Sequence, residues 1–337
     1  SQLTANITVS GSATTGARNI TVTNSDSQQG SCTSCFTVNA RPTVSNTSPN
    51  NGDQGSSNLS VTVNGQDFVS GAAVSVSGGD VTVSSTNVLS PTQIQLTVNI
   101  KESVAAGPGT RDITVTNPDG GTGTLTSGFT VNYNANLVGY WKFDEGSGGT
   151  TSDSSGNGNT GNLVNSPAWL TSGCQQGNCL QFNGSNNYVS IPHSTSIDVD
   201  AAPLTVSLWL YPTATTNKVY FQKQSQIVGF QNLGASEGIE FRDNATGAGL
   251  TASSSLMTLN QWNHLVFVIV NGTTRALYAN GSPASYNAIG TWSPNTSATN
   301  PLTIPGTGSY FGIIDAVRMY KAVLTATQAQ EIYQAGN

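Results

Sequence analysis

Charged residues are scarce in this sequence, and their scarcity limits what the protein can bind. Only 8% of the 337 residues are Asp, Glu, Lys or Arg, against roughly 25% in an ordinary soluble domain. A protein that binds nucleic acid needs a basic surface that releases counterions from phosphates. The 11 Lys and Arg form no such stripe and are outnumbered by 17 Asp and Glu. Nucleic acid is therefore not an expected partner.

Long apolar segments and helical patterns are also missing. No run approaches the roughly 18 consecutive apolar residues of a membrane span, so no span is predicted. Short alternating runs separated by Gly, Asn and Pro turns fill the chain instead, and they are typical of β-strands. The length allows two or three domains, each with its own core.

The four cysteines form two close pairs, Cys32 with Cys35 and Cys174 with Cys179. In a chain so poor in charge, we interpret them as two local disulfides of an extracellular or cell-surface protein. One CxxC pair cannot supply the four ligands of a zinc site, and no His lies near the second pair. The first pair also lacks the helix N-terminus that lowers a redox thiol pKa.

An internal repeat organises the first part of the chain. Residues 3–39 repeat at 96–132 without a gap, most clearly in GARNITVTN and GTRDITVTN. A period this long indicates tandem domains rather than a solenoid. We therefore predict the C-terminal half of a domain at residues 1–40 and a complete domain at residues 41–133.

The complete copy resembles a known bacterial module. The segments PTVSNTSPNNG, VTVNGQDF, GTRDITVTNPDGG and FTVN are similar, in this order, to the IPT/TIG immunoglobulin-like family. The resemblance implies an antiparallel sandwich that acts as a spacer or adhesive module. No acid, base and nucleophile come together in these repeats, so we assign them no catalytic residue. Strands are predicted at residues 59–63, 73–76, 81–83, 94–100 and 113–116.

The first copy lacks the front half of the unit. Without those strands it would expose its core face and unpaired strand edges. Two explanations stay open: upstream residues were lost, or a neighbouring molecule completes the fold. The second explanation predicts self-association head to tail, because the filled patch and the filling patch differ.

The rest of the chain contains the strongest strand and hairpin signals. Strands are predicted at residues 206–212, 263–270 and 274–279, and Asn-Gly at 271–272 and 280–281 predicts type I′ turns. One helix is expected near the end, at residues 325–333, where Thr325 is a suitable N-cap.

These segments resemble a second family. GYWKFDEGSG, DSSGNGNTG, CLQFNGSNNYVSIP, LTVSLWLYP, QWNHLVFVIVNGTTRALYANG and IIDAVRMYKAVLTATQAQEIY are similar, in order, to the laminin G-like jelly roll of the concanavalin A-like superfamily. The resemblance implies a two-sheet jelly roll over residues 137–337. It also implies an extracellular, non-enzymatic domain of a kind that often binds calcium or glycan. The predicted fold class is all-β, with immunoglobulin-like sandwich repeats before the jelly roll.

A calcium site is predicted where the two ends of this domain meet. Asp144 and Asp315 supply carboxylates, and the turn NGSNN supplies carbonyls through Asn183, Gly184 and Asn187. Calcium takes six to eight oxygen ligands of these kinds. Family members often carry Asp where this turn has Asn, which weakens the expected site. The alternative is that the two carboxylates only accept hydrogen bonds from turns and backbone.

Exposed aromatic residues are candidates for stacking against sugar rings. Trp292, in a Thr-Trp-Ser-Pro loop, is the main candidate platform, with Tyr211 and Tyr188 as further candidates. Trp141 and Trp262 are expected in the core, because aromatic residues are most often buried.

No catalytic constellation is evident, so we predict that the protein is not an enzyme. Glu237 and Glu240 are the nearest approach to a glycosidase pair, but their spacing puts them on opposite faces of a strand. His264 is expected in the core. The leading hypothesis is a secreted or cell-surface adhesion protein that binds glycan or another surface. The alternatives are a structural subunit of a filament, stalk or surface layer, and an appendage of a larger exported enzyme.

Overall fold

The chain folds into two β-rich units. The structure is a computed structural model, and it describes residues 2–102, 109–134, 136–199, 203–215, 218–234, 237–306 and 310–336. The first unit lies within residues 1–131, and the second contains residues 132–337 with short segments of the earlier chain. Regular structure in the described ranges is almost all strand, so the predicted all-β class is confirmed. No helix within these ranges is long and apolar enough to cross a membrane.

A hairpin opens the first unit. Its strands, β1 (Gly16–Thr23) and β2 (Gln29–Val38), form a two-stranded antiparallel sheet. Ile20 and Val22 of this hairpin are 39% and 42% exposed. Their counterparts in the second copy of the repeat, Ile113 and Val115, are 1% and 0% exposed. The hairpin therefore exposes an apolar face, whereas the equivalent face of the second copy is buried in its own core.

The second copy of the repeat is a sandwich of two four-stranded antiparallel sheets. Its strands are β3 (Thr43–Ser48), β4 (Asn51–Asp53), β5 (Leu59–Gln66), β6 (Ala73–Val76), β7 (Val81–Ser90), β8 (Gln93–Ile100), β9 (Gly109–Thr116) and β10 (Thr122–Asn132). The sheet orders are β3-β5-β8-β7 and β4-β10-β9-β6. Alternate residues point inwards, as Ile94, Leu96 and Val98 of β8 do in the core. All five strands predicted here are confirmed.

The second unit is a two-sheet jelly roll. Its strands are β11 (Leu137–Trp141), β12 (Thr150–Thr151), β13 (Gly161–Val164), β14 (Ala168–Leu170), β15 (Cys179–Asn183), β16 (Tyr188–Ile191), β17 (Leu204–Pro212), β18 (Lys218–Lys223), β19 (Ile227–Gln231), β20 (Glu237–Asp243), β21 (Gly249–Ser253), β22 (Asn263–Ile269), β23 (Arg275–Ala279), β24 (Ser282–Pro283), β25 (Asn287–Ile289), β26 (Leu302–Ile304) and β27 (Phe311–Tyr320). Short 3₁₀ turns lie at Thr195–Ile197 and Ser254–Leu256.

The two sheets of the jelly roll enclose one core. The eight-stranded sheet has the order β14-β15-β27-β17-β22-β23-β24, with β11 also paired to β27. The nine-stranded sheet has the order β12-β13-β16-β26-β18-β19-β20-β21-β25. Phe267 of the first sheet stacks on Phe241 of the second, with ring centroids 4.8 Å apart. The predicted two-sheet architecture is confirmed.

The α-helix α1 (Ala326–Ala335) covers part of the outer face of the eight-stranded sheet. Thr325 caps it as predicted: the Gln328 amide donates to the Thr325 hydroxyl, and the Gln328 side chain accepts from the Thr325 amide. Tyr333 of the helix stacks on Trp209 of β17 at 5.4 Å. The helix therefore buries Trp209, although this side chain lies on the outer face of the sheet.

The two Asn-Gly turns differ. Asn280 and Gly281 both have positive φ, 49° and 75°, so the predicted type I′ turn is confirmed there. Asn271 and its glycine neighbour do not have positive φ, and the Asn271 side chain instead accepts the amides of Thr273 and Thr274. The prediction of a type I′ turn at 271–272 is wrong, because this side chain closes a longer loop.

Both disulfides join the predicted partners. Cys32 is bonded to Cys35, and Cys174 to Cys179. Residues 171–178, which we call the cystine loop, connect β14 to β15. The second bond ties Cys174 of this loop to Cys179, the first residue of β15. This loop borders the site described next.

Candidate functional site

A row of residues crosses the uncovered part of the eight-stranded sheet. Register partners in neighbouring antiparallel strands lie side by side on one face. Tyr211 of β17 is paired with Ile313 of β27, Ile313 with Gln181 of β15, and Gln181 with Ala168 of β14. Trp262 directly precedes β22 and continues the row, with its ring 5.6 Å from the Tyr211 ring. We call Trp262, Tyr211, Ile313, Gln181 and Ala168 the outer row.

Strand alternation explains why the outer row faces outwards. Ile314, which follows Ile313 in β27, is the register partner of Leu210 on one side and of Leu180 on the other. All three are 0% exposed in the jelly-roll core. The outer row occupies the opposite face, where Gln181 and Ala168 are exposed and the other three members are half-buried.

A second exposed pair extends this surface towards one side. Phe311 of β27 is the register partner of Asn183 of β15, two residues along each strand from the outer row. Phe311 is 44% exposed, and its ring lies against Gly184. The surface thus combines aromatic rings with side-chain amides.

The cystine loop borders the other side of the outer row. Trp262 Nε1 donates to the carbonyl oxygen of Gly173 at 2.9 Å. The Tyr211 and Trp262 rings meet edge to face, with an interplanar angle of 68°. These contacts hold the Trp262 indole in one orientation at the end of the row.

Two carboxylates hold the cystine loop from beneath. Asp315 Oδ2 accepts the amides of Gln175 and Gln176 at 3.0 and 2.9 Å. Asp144 Oδ1 accepts the amide of Asn178 at 3.0 Å. This is the backbone hydrogen bonding that the alternative to calcium predicted. It also anchors the loop that borders the outer row.

Asp315 is an unusual carboxylate. It is 0% exposed, and its Oδ1 has no hydrogen-bond partner in the part of the chain that the structure describes. Burial raises its pKa from 3.8 to about 7, while the amides of Gln176 and Gln175 act to lower it and the charge of Asp144 raises it further. The two carboxylates are therefore close enough for their charges to interact.

The predicted turn does not join these carboxylates. Asn183 lies opposite Phe311, four residues along β27 from Asp315, which corresponds to about 13 Å of extended strand. Asn187 is buried and uses its side-chain oxygen to accept the amide of Asn183. The expectation that Asn183, Gly184 and Asn187 complete a cation site is wrong, because this turn leaves the far end of β15. Among the described residues, no three His, Cys, Asp or Glu side chains cluster as metal ligands.

The aromatic residues that the sequence proposed for sugar stacking do not share one surface either. Trp292 is only 3% exposed and stacks on Phe241 in the core, with centroids 6.1 Å apart, so the prediction of an exposed platform is wrong. Tyr188 is half-buried on β16, in the other sheet. Trp141 is buried as predicted. Trp262, expected in the core, packs against the buried cluster that contains Trp209 but is itself only half-buried, so that expectation is confirmed in part.

A Ser and His pair lies under the helix-covered part of the sheet. Ser207 Oγ is 2.9 Å from His264 Nε2, and both residues are 0% exposed. Burial, with a smaller contribution from the charge of Arg318, lowers the His264 pKa to about 3. His264 Nδ1 has no hydrogen-bond partner among the described residues, so no acid orients it as in a catalytic triad. The predicted core location of His264 is confirmed.

Comparison with known proteins identifies the class of the second unit. Residues 183–330 match the family model described as the concanavalin A-like lectin/glucanases superfamily, in its laminin G-like branch. These residues therefore form a concanavalin A-like jelly-roll domain. No curated protein matches the chain.

Several solved structures are similar. Domain 4 of AbnA, a GH43 extracellular arabinanase from Geobacillus stearothermophilus, in complex with arabinotriose, has 22% identity and a TM-score of 0.44, over 59% of this chain and 98% of that one. The binding domain of Paraclostridial Mosquitocidal Protein 1 has 15% identity and a TM-score of 0.48, over 59% and 52%. The Botulinum neurotoxin serotype G binding domain has 17% identity and a TM-score of 0.48, over 59% of this chain and 51% of that one. The chain thus spans about half the length of these two toxin domains.

Proposed function

We propose that the protein is a non-catalytic binding protein whose jelly-roll domain recognises glycan through the outer row. The observation that carries the proposal is this row of exposed and half-buried side chains across neighbouring strands. Tyr211 and Trp262 offer rings for the apolar face of a sugar, and Gln181 offers an amide for its hydroxyls. The match of residues 183–330 to a lectin-containing superfamily supports a binding role.

The proposal favours binding over hydrolysis for a structural reason. The Ser207 and His264 side chains are fully buried, so a substrate has no access to them. Glu240 is engaged by Arg242 at 3.0 Å. Neither arrangement offers a nucleophile and base at a cleft.

The rest of the chain suits an adhesive role outside the cell. The two disulfides are typical of proteins in oxidising compartments. The immunoglobulin-like sandwich, which we assign to the IPT/TIG family, would serve as a spacer that presents the jelly roll. Glycans on a cell or another surface are the partners that this arrangement suits.

A glycan array tests the proposal. We expect the full-length protein to bind one or more printed glycans and Tyr211→Ala to lose that binding. Gln181→Ala, which changes an exposed side chain, should weaken it without affecting folding. Tyr188→Ala is the matched control, because it removes a half-buried tyrosine from the other sheet. Equal binding by all four proteins, or none by wild type, would contradict the proposed site.

Calcium is a second part of the proposal, with fewer ligands than the sequence predicted. The buried Asp315 Oδ1 without a hydrogen-bond partner and the neighbouring Asp144 fit a cation, because an unsatisfied buried carboxylate oxygen is costly. When bound, calcium would supply positive charge between the two carboxylates and so stabilise the loop beside the outer row.

Thermal melting tests the calcium part. Calcium should raise the Tm of wild type relative to chelator, and the Asp315→Asn variant should lose this increase. Asp153→Asn changes another carboxylate that accepts backbone amides and is the control. A calcium response that is unchanged in Asp315→Asn would exclude these ligands.

The hairpin favours a second candidate function, a structural subunit of an extracellular filament, stalk or surface layer. Ile20 and Val22 are exposed where the equivalent residues of the other copy are buried, and such a face invites association with another molecule.

Light scattering over a concentration series tests this candidate. Wild type should form oligomers that grow with concentration, and the Ile20→Ser, Val22→Ser double variant should not. Ile289→Ser removes an apolar side chain of similar exposure, 45%, from the jelly roll and controls for surface hydrophobicity. A strict monomer at all concentrations would refute self-association through the hairpin.

A further inference from the structure

The length of the outer row exceeds what one sugar unit needs. Its members come from five neighbouring chain segments, beginning with Trp262 and ending at β14. Strands lie about 4.8 Å apart, so the four intervals span about 19 Å. A ligand that contacts the whole row is therefore an extended chain lying across the strands rather than a single sugar.

The row also lacks charge. None of its members, nor Phe311 and Asn183 beside it, carries an ionisable side chain that is charged at neutral pH. Anionic ligands are normally recognised by Arg or Lys, through charge-assisted hydrogen bonds. The row offers no such cation, and the chain has a net charge of −6. An acidic glycan would therefore find no charged partner in the row, whereas a neutral sugar suits its aromatic rings and amide.

The row is open at one end. β14 is the last strand of its sheet, and Ala168 at that edge is exposed and small. A polymer can therefore continue past Ala168 at this end, without a terminal unit having to fit a pocket there. The cystine loop and the turn after β15 border the sides of the row rather than this end.

We propose that the outer row binds an extended segment of a neutral polysaccharide. This inference rests on the proposed glycan-binding function and adds the class of ligand. The polymer lies across β17, β27, β15 and β14, with one sugar face against the Tyr211 and Trp262 rings and hydroxyls at the Gln181 amide.

Affinity gel electrophoresis with soluble polysaccharides tests the ligand class. The neutral probes are arabinan, xylan, mannan and hydroxyethylcellulose, and the acidic probes are polygalacturonate, alginate and heparin. We expect at least one neutral polymer to retard the protein, with the same retardation in about 0.5 M NaCl, because neutral contacts are not screened by salt. Oligosaccharides of the retarding polymer should bind more tightly as they lengthen, until the row is filled.

Variants locate the binding on the row. Tyr211→Ala and Gln181→Ala should each weaken binding, the first by about tenfold, as expected for the loss of one stacked ring. Tyr188→Ala should bind as wild type does. Gln181→Glu should bind the neutral polymer more weakly and should not gain binding to the acidic polymers.

The outcomes separate this inference from the proposed function. Retardation only by acidic polymers, lost in salt and lost in Tyr211→Ala, would refute the ligand class while leaving glycan binding at the row. Binding of the monosaccharide as tightly as a long oligosaccharide would refute the extended ligand. Retardation by a polymer that is unaffected by the row variants, or by no polymer at all, would refute both proposals.

Discussion

His264 offers the sharpest quantitative test of the fold, because the jelly roll tolerates only its neutral form. Its ring lies 4.8 Å from the Trp209 ring and 6.0 Å from the Tyr333 ring of the covering helix. Burial, aided by the charge of Arg318, lowers its pKa from 6.5 to about 3. A buried imidazolium here would lose its hydration without gaining a carboxylate partner.

The sign and size of the effect follow from proton linkage. Below pH 6.5 the unfolded chain binds a proton at His264 that the folded chain refuses until about pH 3. The stability associated with neutral His264 is therefore fully present above pH 6.5 and is lost as the pH falls. For these two pKa values the loss is about 2 kcal/mol between pH 8 and pH 5, and about 3 kcal/mol by pH 4.

Other buried groups act in the opposite direction, so the measurement must be a difference between variants. Burial raises the pKa of both Glu102 and Asp315 to about 7. Their contribution to stability is present below pH 4 and is lost as the pH rises through 7. Subtracting a variant that lacks only His264 removes these contributions.

Urea unfolding at pH 8, 6.5 and 5 is the assay. We expect His264→Gln to be less stable at pH 8, because packing is lost, but to lose about 2 kcal/mol less than wild type between pH 8 and pH 5. The chain has two histidines, and His193→Gln controls for removal of an imidazole. Equal losses in wild type and His264→Gln, or an NMR titration of His264 near pH 6.5 in the folded protein, would refute the reasoning.

Two further predictions concern the core and the cystine loop. Trp292→Ala should lower the free energy of unfolding in urea by about 3–5 kcal/mol, because it leaves a cavity in the core. It should leave glycan binding unchanged. Loss of glycan binding in a folded Trp292→Ala variant would show that Trp292 belongs to the binding site. Gly177→Ala should lower the Tm, because its added Cβ meets the Asp144 carboxylate at a φ of 52°. Gly173→Ala is the matched control, because Gly173 has a φ of 75° but open space around the added Cβ. An equal loss of Tm in both variants would mean that backbone strain, and not the contact with Asp144, is the cause.

The amino-acid sequence by itself determined the local structure. Alternating runs located the strands of the sandwich and the central strands β17 and β22, because the period of two reflects one buried face. Thr325 and Gln328 marked the start of the helix through their own hydrogen bonds. The close spacing of Cys174 and Cys179 predicted their bond. Each of these features depends on residues near one another in the chain.

Only the tertiary structure decided which side chains share a surface. The sequence names Tyr211 as an aromatic candidate, but Ile313, Gln181 and Ala168 join it through register across four strands, and no local pattern specifies that register. Trp292 is buried although its loop sequence predicted exposure, and Trp262 is only half-buried, because the elements that pack over each ring decide how accessible it is. Burial depends on what packs against a residue, and those partners lie far away in the sequence.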